Sequence, residues 1–405
     1  MKTRFLLILC LILALSWPAY AEFKTSVDIT EVGMGARPIA LGGAYTGLAD
    51  DASAIFTNPA GLGLQNKLSF VSMSTQILTC VDYKVAGFSY PTQYGNFGIG
   101  YIGASSPAGD YTYIKSGVTV EGGPMYYSNQ MLILSYGNDI SDLLSNTIYS
   151  EGGKIKSVCA GINIKMLSQG FSGGMKDAPS ASGSQVDIGT MYMPNDRLTV
   201  GAVLQNIYRG GRGSNGSSIA WTTGENENLP ELLKIGFAYK VLDSVTLNLD
   251  STSSLNSSRD LLLGGGVEWK VVPYVALRAG LDQKNEAIDD AKVGVVTKTC
   301  LGVGLNYAGF GFDYAYRQDP VFTEFSTQYF SISYSGGPIT LPAKSKSDTI
   351  AQQDEPENIE PVQKDEKDII PSDDERQSET NPLTQYERII NQSNIQSNNQ
   401  SGTVQ

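Results

Sequence analysis

KIGFAYKVLDSVTLNLD, residues 234–250, is the stretch whose reading decides the fold. Ile235, Phe237, Tyr239 and Val241 fall on one side of it, and Lys234, Gly236, Ala238 and Lys240 on the other. After the short turn at Leu242-Asp243, Val245, Leu247 and Leu249 oppose Thr246, Asn248 and Asp250. A period of two belongs to a β-strand, whose successive side chains point to opposite faces. The apolar phase is thus one continuous face across two strands, and the other phase is small or polar.

The same alternation extends outward in both directions. In Arg197–Asn206, Leu198, Val200, Ala202 and Leu204 oppose Thr199, Gly201 and Gln205, with Val203 out of phase. Ile162, Ile164 and Met166 oppose Asn163 and Lys165. Leu301, Val303, Leu305 and Tyr307 oppose Gly302, Gly304 and Asn306. Phe312, Tyr314 and Tyr316 oppose Asp313, Ala315 and Arg317, and Phe330, Ile332 and Tyr334 oppose Ser331, Ser333 and Ser335. Over this half the connections alternate in length. Short turns at 194–196, 242–243, 272–273 and 308–309 alternate with longer loops at 207–230, 253–260, 282–296 and 318–325. Outer-membrane barrels connect their strands in this way, with short turns toward the periplasm. Residues 185–335 hold nine strands by this reading, and residues 67–167 hold six candidates. If both barrel ends are periplasmic, the earlier set must be odd. Tyr111–Val120 fits least well and reads as part of a loop, which leaves a barrel of about 14 strands.

A soluble β-sandwich also alternates, with its apolar face in a core. Here the opposite face is Gly, Ser, Asn, Thr and scattered charges rather than a Lys/Glu-rich surface. Aromatic residues gather at strand ends (Tyr90, Tyr94, Tyr101, Tyr136, Tyr192, Trp269, Tyr307, Tyr316, Tyr334), where interfacial girdles sit. A closed barrel also satisfies every backbone amide in hydrocarbon, which an open sheet does not. The expected fold class is all-β, a transmembrane antiparallel β-barrel over residues 66–335.

The flanks differ in kind. Residues 1–21 read as a secretory signal peptide, with Lys2 and Arg4 before an apolar core and Ala19-Tyr20-Ala21 at the cleavage site. That apolar run is shorter than the ~20 residues a membrane helix needs. Residues 336–405 are rich in Gln, Asn, Ser, Asp and Glu, with five prolines from Pro342 to Pro382, and read as a disordered acidic tail. Of the net charge of −12, −7 lies from Pro342 onward, with no basic patch to argue for nucleic acid. The chain has no His, which removes histidine acid–base chemistry and histidine metal ligands, and no cofactor or enzymatic activity is expected. Of the cysteines beyond the signal, Cys159 and Cys300 both fall on the lumenal phase, as isolated thiols or as a bridged pair.

Residues 22–65 lack strand alternation. Gly42, Gly43, Ala44 and Gly47 allow close backbone approach. Asp50 or Asp51 suits the N-cap of a short helix through Phe56, and Asn58-Pro59-Ala60-Gly61 reads as a turn with Asn58 extended. Such a piece suits a plug in the barrel lumen, or an arm packed on the barrel end.

Three motifs in this segment carry a resemblance. Leu41–Ala44 (LGGA), Ala49–Ser53 (ADDAS) and Asn58–Leu62 (NPAGL) are similar to the FadL-like outer-membrane transporters and the related PorV/PorQ family. RLTVGAVLQNI at 197–207, LPELLKIGFAY at 229–239 and the hairpin at 309–334 extend the resemblance over most of residues 33–335. It implies a 14-stranded barrel with an N-terminal hatch at 22–65. In FadL-like members the hatch gates hydrophobic molecules such as long-chain fatty acids. In PorV-like members the barrel serves protein secretion, with a periplasmic or secretion-system partner. The hatch and gating residues so implied are Leu41, Gly42, Gly43, Asp50, Asp51, Asn58, Pro59, Ala60 and Gly61. Ile39, Leu41, Leu48, Ile55 and Phe56 either line an apolar cavity for a hydrophobic ligand or pack the plug. The chain is expected in the outer membrane, in contact with its lipid. One departure stands out. The aromatic strand Phe330–Tyr334, which barrel assembly reads at a C-terminus, is followed here by a long tail.

Overall fold

In a computed structural model, the described residues are 28–339 except 149–156, 176, 209–217, 258, 290–291 and 321–325. They all belong to the unit Met1–Ser345. The stretch 1–21 read as a signal peptide and nearly all of the tail lie outside the described residues.

The alternation becomes antiparallel strands: β1 (Lys67–Ile77), β2 (Val81–Thr92), β3 (Gly95–Lys115), β4 (Val118–Asp139), β5 (Ser157–Gly173), β6 (Ser180–Met193) and β7 (Leu198–Gln205). Two short strands follow, β8 (Ile219–Trp221) and β9 (Asn226–Glu227). The second half holds β10 (Leu232–Leu242), β11 (Val245–Ser254), β12 (Leu262–Val272), β13 (Val275–Asp289), β14 (Lys292–Tyr307), β15 (Phe310–Gln318) and β16 (Thr327–Pro338). Each long strand pairs with its sequence neighbour, β7 with β10, and β1 pairs with β16. The result is a closed barrel of 14 strands, with β8 added to β6 inside the 206–231 connection and β9 paired to β8.

The strand count expected from sequence is met, and so is the parity argument behind it. Tyr111–Val120 is not a separate strand. It is the tip of one long hairpin, where β3 and β4 continue pairing to Lys115↔Val118. Three stretches outside the strands read from sequence are partly strand. The expected loop 282–296 is almost wholly β13 and β14, which pair as far as Asp289↔Lys292. Gln169–Gly183 is mostly the ends of β5 and β6, paired as far as Gly170↔Ser180, and the expected loop after Ile207 contains β8 and β9. Small and polar residues hide strand signal in these places, because the extensions lie beyond the apolar band.

Which face meets lipid is decided by exposure. Leu249 is 63% and Ile332 57% exposed, whereas their neighbours Asn248 and Ser331 are 2% and 1%. Leu247, Leu134 and Ile164 are likewise exposed, and Asn163 is buried. The apolar phase therefore points out of the barrel and the polar phase into it, which excludes a sandwich core. Phe97 and Tyr136 pack on the outside near the β2–β3 turn, and Tyr90, Tyr94, Tyr192, Trp269 and Tyr307 stand exposed at the same short-turn end. No helix among the described residues is long and apolar enough to cross a membrane.

Candidate functional site: the N-terminal segment inside the lumen

Residues 28–65 fill the lumen as short turns joined by irregular backbone. They comprise 3-10 turns at Ile29–Val32 and Pro59–Leu64 and one-turn helices at Ala36–Ala40 and Ala54–Thr57. None of these pieces is long enough to be stable alone. Their order comes from the wall.

The first anchor is polar. Asp28 accepts the Thr30 N–H at 2.9 Å and the Asn206 side-chain amide at 3.0 Å. Asn206, at φ 60°, in turn takes the Lys165 ammonium at 2.6 Å, and Lys165 pairs with Asp187 at 2.7 Å. Burial alone would raise the Asp28 pKa, but Lys165 and the donors from Thr30 and Asn206 outweigh it and hold the carboxyl below its ordinary value.

The second anchor is Arg37, from the short helix Ala36–Ala40. Its guanidinium spans Glu268 of β12 at 2.9 Å, Asp50 at 2.6 Å and Asp51 at 3.1 Å, and donates to the Tyr45 hydroxyl at 2.8 Å. Glu268 also receives Arg278 at 2.7 Å, and Arg278 reaches Asp313 at 2.6 Å. Burial opposes the charge on Arg37, yet Asp50, Glu268, Tyr45 and Asp51 raise its pKa well above the usual value. Burial keeps Tyr45 a neutral phenol, whose hydroxyl donates to Asp51 at 2.8 Å.

Two further anchors use backbone. Asp250 of β11 accepts the N–H groups of Tyr45 and Thr46 at 3.0 and 2.8 Å. Asn58 is extended (φ −149°) and fully buried. It caps the Ala60 N–H at 3.1 Å and donates to the carbonyls of Thr46 at 2.9 Å and Thr190 at 3.2 Å. The turn read from Asn58–Gly61 is therefore a clamp between hatch and wall.

The wall meets the hatch with glycines. A Cβ at Gly161 of β5 or Gly137 of β4 would overlap the backbone at Pro59, and one at Gly266 of β12 or Gly280 of β13 would overlap Leu41 and Gly42. Their absence of side chains is what lets hatch backbone lie flat against strands.

The lumen has two sectors. On β1–β4 most of the large inward residues are apolar: Val71, Met73, Val85, Ile102, Met131 and Ile133 are all buried, alongside the small polar Ser69, Ser89 and Ser135. The apolar ones form one cluster with Ile29 and Met34 of the hatch, and Tyr83 donates to the Ile29 carbonyl at 3.1 Å. On β10–β15 the inward residues are charged: Lys234, Asp250, Glu268, Arg278, Asp282, Lys298, Asp313 and Arg317, bridged in pairs such as Lys298–Asp319 at 2.8 Å. Two cavities adjoin the charged sector. One, of about 490 Å³, opens at the short-turn end beside Arg37, Asp50, Asp51, Glu268 and Lys270. The other, of about 100 Å³, lies on the opposite side of Gly42-Gly43.

The residues singled out in the sequence are placed as follows. Ile39, Leu41, Ile55 and Phe56 are buried, and Leu48 is half-buried; none of the five lines either cavity. Ile55 and Phe56 pack on Gly98 and Gly100 of β3. Asp51 accepts the Ser53 N–H at 2.8 Å just before the helix Ala54–Thr57, and both Asp50 and Asp51 also clamp Arg37. Gly43 and Asp50 are exposed to the cavities, while Gly42, Pro59, Ala60 and Gly61 are packed. Cys159 and Cys300 are buried free thiols. Sequence reading missed Arg37, Glu268, Arg278, Lys165, Asp187 and Asp250 as hatch anchors. The available signal was a charge on the lumenal phase of a membrane strand, which needs a partner to be retained there. Among the described residues no group of side chains could hold a metal ion.

No protein-family model and no curated protein matches the chain. Solved structures do. The CymD monoaromatic hydrocarbon channel matches with a TM-score of 0.50 at 12% identity, over 77% of this chain and 99% of that one. The toluene transporter TbuX of Ralstonia pickettii matches with a TM-score of 0.48 at 14% identity, over 76% of this chain and 99% of that one. A FadL homologue of Pseudomonas aeruginosa matches with a TM-score of 0.44 at 13% identity, over 77% and 99%. These identities speak to fold alone. At the level of fold, the chain is a closed barrel of 14 antiparallel strands similar to that of the CymD channel.

Proposed function

We propose that this protein is an outer-membrane channel for hydrophobic small molecules, held shut by residues 28–65 acting as a hatch. The observation that carries the reading is the apolar sector inside β1–β4. A barrel wall needs apolar residues on its lipid face only. Here Val85, Ile102, Met131 and Ile133 face inward as well, and the hatch residues Ile29 and Met34 cover them. Removing the hatch would expose an apolar track along one side of the lumen. The fold shared with the CymD monoaromatic hydrocarbon channel supports the same substrate class. In this reading Leu41, Gly42 and Gly43 close the lumen against β12 and β13. Asp50 and Asp51 hold Arg37, and Asn58, Pro59, Ala60 and Gly61 are the pivot on β4–β6.

The test is uptake of a labelled hydrocarbon and of a long-chain fatty acid by cells making the protein, with mass spectrometry of lipids that co-purify in detergent. Uptake above that of barrel-free cells is expected, with bound hydrophobic molecules recovered. Ile102→Asp with Met131→Asp places charges on the apolar track and should lower uptake by about tenfold or more, since an unpaired buried charge is strongly disfavoured. Unchanged uptake in that variant rejects the reading. The secretion role implied by the PorV/PorQ resemblance predicts instead a protein partner that survives purification and no hydrocarbon uptake.

A further inference from the structure

The registers of β11, β12 and β13 set three rows across the charged sector. Asp250, Gly264 and Asp282 form the first, Asn248, Gly266 and Gly280 the second, and Thr246, Glu268 and Arg278 the third. The whole first row lines the smaller cavity, and Glu268 and Arg278 of the third line the larger one. A single row, the middle one, therefore separates the two spaces. Successive rows are two residues apart, about 7 Å along a strand, so the partition is thin. What closes it is hatch backbone: Leu41 and Gly42 lie where a Cβ at Gly266 or Gly280 would be. Beyond it the smaller cavity continues past Ser254 and Asp260 toward the long-loop end, and the larger opens at the short-turn end.

Two features of this sector exceed what seating a plug requires. The inward phase of β13 runs Arg278, Gly280, Asp282, Lys284, Glu286, so the partition sits at its one uncharged step. Buried ion pairs add little stability over apolar residues of similar volume, and packing alone does not explain a file of charges along one strand. The second feature is Asn248. It is 2% exposed and points inward between the outward Leu247 and Leu249. Among the described residues neither atom of its amide has a hydrogen-bond partner. An unmet buried amide disfavours the state that contains it. Lifting Leu41 and Gly42 off the middle row brings water to that amide and joins the two cavities.

We propose that the charged sector is a second route through the barrel, for small hydrated inorganic ions, opened when the turn Leu41–Ala44 leaves the Gly266–Gly280 row. Arg278, Asp282, Lys284 and Glu286 stand along the route and offset part of the hydration an ion gives up. Their signs alternate, so cations and anions both find partners. The Asn248 amide lines the narrowest point. This activity goes beyond the hydrophobic track of β1–β4 and does not depend on it.

The full chain is reconstituted in planar bilayers under a potassium chloride gradient, while cells making the same variants are assayed for hydrocarbon uptake. Wild-type protein should show discrete openings that pass both ions. Asn248→Leu keeps the volume and removes the amide, so openings should become rarer by about fivefold or more, the worth of one unmet buried group. Lys284→Glu leaves three acids in file on β13 and should raise the potassium-to-chloride permeability ratio severalfold. Both variants should keep heat-modifiable migration, which certifies an intact barrel, and wild-type hydrocarbon uptake. A silent wild type, openings of Asn248→Leu as frequent as the wild type's, or an unchanged ratio in Lys284→Glu overturns the route. Hydrocarbon uptake without openings sinks the ion route but spares the hydrophobic channel. Openings with the expected variant effects but no uptake do the reverse, and failure of both sinks both.

Discussion

Arg37 is one residue that ties four chain segments together. It joins its own helix to Tyr45, to Asp50 and Asp51, and to Glu268 on the wall. Removing one partner of a buried ion network costs about 3–5 kcal/mol, because the remaining charges stay desolvated. Arg37→Ala should therefore loosen residues 28–65 while leaving the barrel closed. The expected readout is higher single-channel conductance and faster proteolysis within the hatch, at unchanged heat-modifiable migration; hatch proteolysis at the wild-type rate would contradict the assignment. Arg37→Lys should rescue only in part, since an ammonium lacks the planar fork that spans two carboxylates. Asp28 gives a pH expectation. Its folded pKa lies below the ordinary value of 3.8, so its stabilisation is present above that value and is lost only as pH falls through the lower folded one. The N-terminal anchor should resist protease equally at pH 7 and pH 5. Loss of protection already at pH 5 would mean that Asp28 is not held by Lys165 and Asn206.

The glycines of the wall act at the scale of elements. Gly161 and Gly137 present bare backbone to Pro59, and no rotamer change at the glycine makes room there. Gly161→Val should cost about 1–3 kcal/mol, as over-packing does. The strain falls on the hatch rather than on the β5 ladder, so conductance should rise while strand content by circular dichroism stays constant. Strand legibility also differed by element. In β10–β16 the inward phase is small or charged, so the outer apolar phase stood out. In β4 the run Met131-Leu132-Ile133-Leu134 is apolar on both faces, with Met131 and Ile133 inward and Leu132 and Leu134 outward. The two phases merge there, and the first half needed a parity argument to count its strands. Tyr111–Val120 failed as a strand for another reason, because hairpin tips beyond the membrane have no lipid face to pattern.

For the whole molecule, the lipid face sets the largest constraint. Leu249 sits outward in the middle of β11. Leu249→Arg should destabilise the barrel by about 2–4 kcal/mol, the cost of a cation on the lipid face near the midplane. A shift in the urea midpoint of refolding into vesicles measures it. A change much under 1 kcal/mol would indicate that this face meets water. The lumenal change Asn248→Ala, one residue away on the opposite face, should be milder, because Asn248 is buried without hydrogen-bond partners for its amide.

The sequence by itself determined the architecture. A period of two with one apolar phase, repeated between alternating short and long connections, leaves a closed barrel as the arrangement that satisfies backbone and lipid together. It also marked residues 22–65 as something other than strand, and Asn58-Pro59 as a turn. Tertiary structure alone decided what that segment grips. Arg37 meets Glu268 across 231 positions, and Tyr45 meets Asp250 across 205. Local pattern carries no information about partners so distant, because only closure of the wall brings β11 and β12 against the hatch. The division of the lumen into an apolar and a charged sector has the same origin: each strand reveals its own two faces, but which inward faces stand opposite one another is a property of the closed ring.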